Sequence, residues 1–268
     1  MKLLFQSDDF GITEGVTLGI LKAIRNGLVR NTGLFVNTEA SEFAASQIKN
    51  YPECCFGLDI NLVAGYPVSD PKNIPSLVDK NGKFISSVER FKKGIIKDSN
   101  NEKTQIDFEE EPYKFEEVYT EMKNQVEKFI KLVGRKPEYI HPHSLVTPVT
   151  IRSFRKIAKE YDLKFSMDIL EKNNFYHVPG DWNIKPLFKV EDQLVTDVEE
   201  NVIKEVPDML TNDLAVLICH CGYIDDKLLK LSTYSLIRAK DLEMATSEKL
   251  INLLNENNVE LITYRDLN

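Results

Sequence analysis

Apolar positions along the chain fall into strand-sized runs separated by stretches with helical spacing. The first run, Leu3-Leu4-Phe5, is cut off by Gln6-Ser7-Asp8-Asp9-Phe10-Gly11, the pattern of a buried strand ending in polar residues and a turn. Thr13 then suits a helix N-cap, Val16, Ile20, Ala23 and Ile24 recur at helical spacing, and Asn26-Gly27 supplies a stop. Leu34-Phe35-Val36 reads as a second strand, residues 42–49 as a helix broken at Tyr51-Pro52, and residues 55–62 as a third strand. From 63 to about 107 the pattern lapses into Gly65, Pro67, Pro71, Pro75 and Asn81-Gly82. An irregular insertion of that length is expected to be a lid or binding loop rather than a spacer.

Helical periodicity returns over 115–133, with Val118, Met122, Val126, Phe129, Ile130 and Val133 on one side and Gly134 ending it. Residues 139–144 read as a strand running into a loop, 149–161 as a helix, and 163–167 as a short strand. The stretch 171–180 is irregular, and 191–209 holds one weakly marked helix. Leu214 to Cys219 is the clearest buried strand, running straight into His220-Cys221-Gly222-Tyr223. Helices over 234–244 and 247–257 precede a last strand at 259–263. No repeat and no Pro/Gly/Ser linker interrupts this order, so residues 1–268 are expected to form one domain. Alternating strands and helices predict an α/β fold with a mainly parallel sheet, open or closed into a barrel.

Composition narrows the function. With 268 residues, 42% hydrophobic and 28% charged, the chain can bury a sizeable core. A formal charge of -8 offers no electrostatic footprint for nucleic acid or an anionic membrane. No apolar stretch approaches the roughly 20 residues that cross a bilayer. Asp8 and Asp9 interrupt any signal-peptide core, so the cytoplasm is the expected address. Cys54-Cys55 are adjacent and Cys219 and Cys221 flank His220; neither spacing suits a zinc ribbon, and small buried residues are expected.

Asp8-Asp9, Asp59, His141 with His143, and His220 each fall at or just past the end of an expected strand. In α/β barrels and open sheets that edge is where active sites assemble. Neighbouring side chains in a regular strand diverge, so Asp8 and Asp9 can share a cleft only if the backbone turns between them. Such a pair suits a metal ligand beside a general base, and Asp-Asp-x-Gly also suits an ordinary solvated turn. His177, alone in an irregular segment, reads as structural. Carboxylates and imidazoles together suit a divalent cation, a water-derived nucleophile, a base and an acid for a departing amine, the parts that hydrolyse an amide.

These residues carry a resemblance. Ser7 to Gly11, Gly57 to Leu62 with Gly65 and Pro67, Pro137 to His143, His220 to Tyr223, and the tail from Thr233-Tyr234 through Arg238 and Leu242 to Leu261–Arg265 resemble the YdjC-like carbohydrate deacetylases. The resemblance implies an irregular (β/α) barrel and one divalent metal ion, magnesium, manganese or zinc. It implies a hydrolase that removes the N-acetyl group from an amino sugar or short oligosaccharide, with a homodimer as the open question of assembly. Carried over by motif, Asp9 and His143 are metal ligands, Asp8 is the general base and His220 the acid. Four positions depart from the family's pattern: Asp59 stands where a metal histidine is usual, His141 where an aspartate is, Leu145 where a further histidine is, and Cys221 where a proline is. Asp59 is expected to remain a ligand and to move preference from zinc towards manganese or magnesium. His141 is expected at the metal or just behind it. Tyr66, Phe84 and Phe91 of the insertion, with Arg238, are expected to hold the sugar. A decayed sugar-binding member and a metal-free glycoside hydrolase with paired carboxylates are the competing readings.

Overall fold

The computed structural model describes residues 1–92, 94, 106–179 and 189–268; residues 93 and 95–105 of the insertion, and residue 180 of the irregular 171–180 segment, lie outside them. Eight strands form one sheet: β1 (Lys2–Phe10), β2 (Asn31–Leu34), β3 (Cys55–Ile60), β4 (Tyr139–Pro142), β5 (Lys164–Phe165), β6 (Tyr176–His177), β7 (Leu214–Cys219) and β8 (Glu260–Ile262). Their order is β5-β4-β3-β2-β1-β7-β6, every pairing is parallel, and β8 shares the β2 edge of β1, taking its first three residues. The long first strand is therefore the hub, joined to both ends of the chain.

The sheet is strongly curled. Flat, β4 would lie three strand spacings from β1, about 14 Å, yet His141 Nε2 comes within 3.3 Å of Asp8 Oδ2. Among the described residues no pairing joins β5 to β6, so the barrel is irregular and open there. Period-two alternation sorts the side chains. Leu3 and Phe5 face the helices, whereas Leu4, Tyr139, Val216, Ile262 and Tyr264 pack together inside the curl. Continuing along the same inner face come Gln6 and Asp8, Asp59, His141, and His220 just past β7. The site residues thus share a face because they share parity with a buried apolar plug.

Local chemistry ends the elements where the sequence says it should, with some shifts. Thr13 Oγ1 accepts from Val16 N–H at the start of helix Glu14–Asn26, and Gly134 closes helix Phe115–Val133 in the left-handed region. Thr147 and Thr150 form a capping box at helix Pro148–Tyr161. The short strand expected at 163–167 stops at Phe165, and a helix runs from Ser166 to Lys172. The segment after it contains β6, two residues that only pairing with β7 defines. The single helix expected over 191–209 is two, Val190–Val195 and Val198–Met209.

The described part of the insertion is tied down rather than loose. Buried Glu121 accepts the Val68 and Ser69 amides at 2.9 Å each, and Gln125 brackets the Asn61 backbone. Arg90, on the short helix Ser87–Phe91, is buried. It donates to the Pro112 and Ser76 carbonyls at 3.1 Å and lies 4.3 Å over the Tyr113 ring. These bonds set that helix beside the open end of the sheet.

Candidate active site

Asp9 has φ 72°, and the pairing of β1 with β2 slips between Ser7 and Phe10. This break in the alternation lets consecutive carboxylates serve one site. Asp8 keeps the inner-face direction. Its Oδ1 accepts from Gln6 Nε2 at 2.5 Å, and its Oδ2 lies 3.3 Å from His141 Nε2 and 4.0 Å from His220 Nε2. Burial pushes the Asp8 carboxyl up, but His141, His220 and Gln6 together hold it below its ordinary value.

Asp9 turns elsewhere. Its Oδ2 accepts from Arg238 Nη2 at 2.5 Å, and its Oδ1 lies 2.8 Å from His143 Nδ1. Burial opposes ionisation of Asp9 too, yet the His143 and Arg238 charges outweigh it and keep the carboxyl well below the usual range. Phe35 packs edge-on against the His143 ring at 4.8 Å.

Asp59 reaches Asp9 through the backbone, Oδ2 accepting the Asp9 N–H at 2.8 Å. Its other oxygen is buried with no hydrogen-bond partner among the described residues. Gly33 on β2 makes the space, since a Cβ there would sit 1.7 Å from Asp59 Oδ1. Burial, then the charges of Asp8 and Asp9, push the Asp59 carboxyl well above its ordinary range. Asp59 and His141, both departures from the resemblance, are register partners on β3 and β4. The exchange of acid and imidazole is therefore between immediate neighbours, and the pair keeps one of each.

His220 closes the opposite side. Its backbone N–H donates to buried Asp241 Oδ2 at 2.7 Å, and its ring lies 4.7 Å from that of Tyr234. Burial pushes the His220 imidazole down. The four cysteines are free and buried, with Cys219 and Cys221 sulfurs 3.6 Å apart behind His220.

A cavity of about 760 Å³ opens over this group, with Asp9, His143, His220, Arg238, Tyr234 and Phe91 in its walls. Phe91 lines it and stacks on Phe108 at 6.3 Å. Arg238 is at its edge, Nε bonded to the Tyr234 carbonyl and Nη1 buried with no hydrogen-bond partner among the described residues. Tyr66 and Phe84 are not among its walls: Tyr66 is 55% exposed under Lys83, and Phe84 is buried in the core. His177, read from sequence as structural, lines the cavity from β6. Tyr234, Asp241, Gln6, Ser166 and Tyr264 escape sequence reasoning. Of these Gln6 carries a signal in its parity with Asp8 along β1, and Tyr234 and Tyr264 fall in the tail that carries the resemblance without being marked there as site residues.

Whether these side chains suit a divalent cation can be tested on one atom. Asp9 Oδ1 is buried with no hydrogen-bond partner among the described residues although His143 Nδ1 is 2.8 Å away, so the two are close but not aligned as donor and acceptor. Two donor atoms so placed fit two ligands of one ion, and their types suit zinc, manganese or magnesium. A cation there would also relieve the crowding that raises Asp59. The fit is two-point: among the described residues no group of three or more His, Cys, Asp or Glu side chains stands in coordinating geometry. Nor, among them, is any helix long and apolar enough to cross a membrane.

Comparison with known proteins agrees over the full length. The family model of the YdjC-like proteins matches residues 2–256. Carbohydrate deacetylase 2 of Listeria innocua is 32% identical, covering 100% of this chain and 99% of its own. The carbohydrate deacetylase of Clostridium beijerinckii is 29% identical over 100% of both. Among solved structures, an Enterococcus faecalis protein provisionally assigned to cellobiose-phosphate cleavage has the same fold, with a TM-score of 0.76, 22% identity and coverage of 99% and 98%.

Proposed function

We propose that the chain, which belongs to the YdjC-like family, is a carbohydrate deacetylase hydrolysing the acetamide of an N-acetylated amino sugar or short oligosaccharide. The observation that carries this reading is the division of labour between adjacent residues. Asp8 lies between two imidazoles, while Asp9 pairs with His143 at the cavity wall. Asp9 and His143 would hold a divalent cation, with Asp59 adding negative charge behind them through the Asp9 amide. When bound, the cation supplies Lewis-acid polarisation and a water of lowered proton affinity.

The chain's own residues then have separate tasks. Asp8, ionised and fixed at both oxygens, accepts the proton of the attacking water. His220, across from it and with its proton held less tightly through burial, protonates the departing amine. Arg238 neutralises Asp9 from beneath the cavity wall. Phe91 and Tyr234 offer flat apolar faces to the sugar ring. Glycoside hydrolysis by paired acids gains no support, since Asp9 is bonded to Arg238 and held well below the usual carboxylate range, so it has no proton to give.

The test is acetate release from N-acetylglucosamine and its short oligomers, with magnesium, manganese and zinc added singly and with a strong chelator. Metal-dependent acetate release is expected. Release of reducing sugar without acetate, unaffected by chelator, would overturn the reading.

A further inference from the structure

The short helix Val190–Val195 faces the opposite way from what its side chains favour. Val190, Leu194 and Val195 are 50%, 58% and 83% exposed, while Gln193 is the residue it buries. Apolar burial alone would rotate the aliphatic side chains inwards. Lys240 Nζ holds the observed orientation by donating to the Leu194 and Thr196 carbonyls at 2.7 and 2.6 Å.

The buried amide meets the start of another helix. Gln193 Oε1 accepts the Ser235 and Ile237 N–H groups at 3.1 and 3.2 Å, and Nε2 donates to the Thr233 carbonyl at 2.8 Å. Two backbone donors on one atom make that atom the oxygen, which fixes the orientation of the amide. Ser235 and Ile237 flank Leu236, the N-cap position of helix Ile237–Ala245, whose aliphatic side chain makes no cap bond. Both flanking residues are buried, so their amides need a partner within the protein. The cap this helix lacks locally comes from a residue 42 and 44 positions upstream of the amides it serves.

The capped segment carries the supports of the acid side of the site. Tyr234, inside the clamped turn, sets its ring 4.7 Å from the His220 imidazole. Asp241, in the helix itself, accepts the His220 N–H at 2.7 Å, and the Arg238 carbonyl accepts the Gly222 N–H at 3.1 Å. One segment therefore holds His220 by both its ring and its backbone.

We propose that Gln193 is a positioning residue for His220: by capping helix Ile237–Ala245 from outside, it sets Tyr234 and Asp241 against that histidine. The catalytic task of His220 rests on the deacetylase reading, whereas the placement of its ring does not.

The test follows the ring C–H signals of His220 by NMR, assigned through their loss in His220→Gln. The nearby Tyr234 ring displaces these signals, and Tyr234→Leu defines their position when that ring is gone. Gln193→Met keeps the length and loses all three bonds. It should move the His220 signals towards those of Tyr234→Leu and lower kcat roughly ten- to hundred-fold. Gln193→Glu keeps an acceptor at the helix N-terminus, where a carboxylate is favoured, and should return the signals and most of the rate. The rate losses of Gln193→Met and Tyr234→Leu should combine to less than their product, since one acts through the other. If Gln193→Met folds poorly, Gln193→Asn, too short for the same bonds, takes its place with the same expected displacement. Unmoved His220 signals in these variants, losses that multiply in full, or Gln193→Glu signals matching Tyr234→Leu would overturn the proposal. His220 signals that follow Gln193 in a protein that releases no acetate would support the placement and remove the deacetylase reading alone.

Discussion

Asp8 and Asp9 are the same residue type at consecutive positions, and the fold gives them opposite surroundings. Asp8 is set among neutral donors and imidazoles inside the curl, each oxygen assigned and the cavity a step away. Asp9 sits in the cavity wall, balanced by a buried guanidinium, with one oxygen left unpaired beside His143. One backbone angle at Asp9 produces the divergence. The contrast shows how two adjacent carboxylates can be kept apart in one site: the strand turns between them, and each is held by its own partners.

Asp9→Asn should break the contrast most severely. Turnover should fall by roughly 10³-fold, and the buried Arg238 would lose its counter-charge, costing about 3–5 kcal/mol of stability. Kinetics together with denaturant unfolding would check both losses, and a variant as stable and as active as wild type would break the division drawn here. Asp8→Asn should cost less stability than Asp9→Asn while lowering kcat by roughly 10²–10⁴-fold with KM retained. A matching loss of stability would place Asp8 in the same class as Asp9.

A third carboxylate sharpens the picture. Burial raises the Asp241 carboxyl to about 6 from its ordinary 3.8, so the folded chain holds that proton more tightly than the unfolded one. Its contribution to stability is complete below about pH 4 and is lost as pH rises through about 6, to the extent of about 3 kcal/mol. Asp241→Asn keeps an acceptor for the His220 amide and should remove that part of the decline between pH 4.5 and 7.5, measured by chemical unfolding. The smallest effect is expected at the cavity wall. Phe91→Ala should raise KM roughly five-fold, the equivalent of about 1 kcal/mol, whereas Tyr66→Ala, outside the cavity, should leave it unchanged.

Much of this was legible in the chain itself. Strand-sized apolar runs ending in Asp8-Asp9, Asp59, His141 and His220 predict a parallel sheet with polar groups at one edge, because parallel strands bring like ends together. Parity along each strand then fixes which side chains share a face, and both signals are local. Three things were decided only by the tertiary structure. The positive φ at Asp9 depends on the register of β1 against β2, and the exchange between Asp59 and His141 becomes meaningful only when β3 lies beside β4. The bonds behind Asp8 join Gln6 to Tyr264 and His141 to Ser166, pairs that no periodicity connects. Hydrogen bonds between groups hundreds of residues apart leave no pattern in sequence, since their geometry exists only once the sheet has curled.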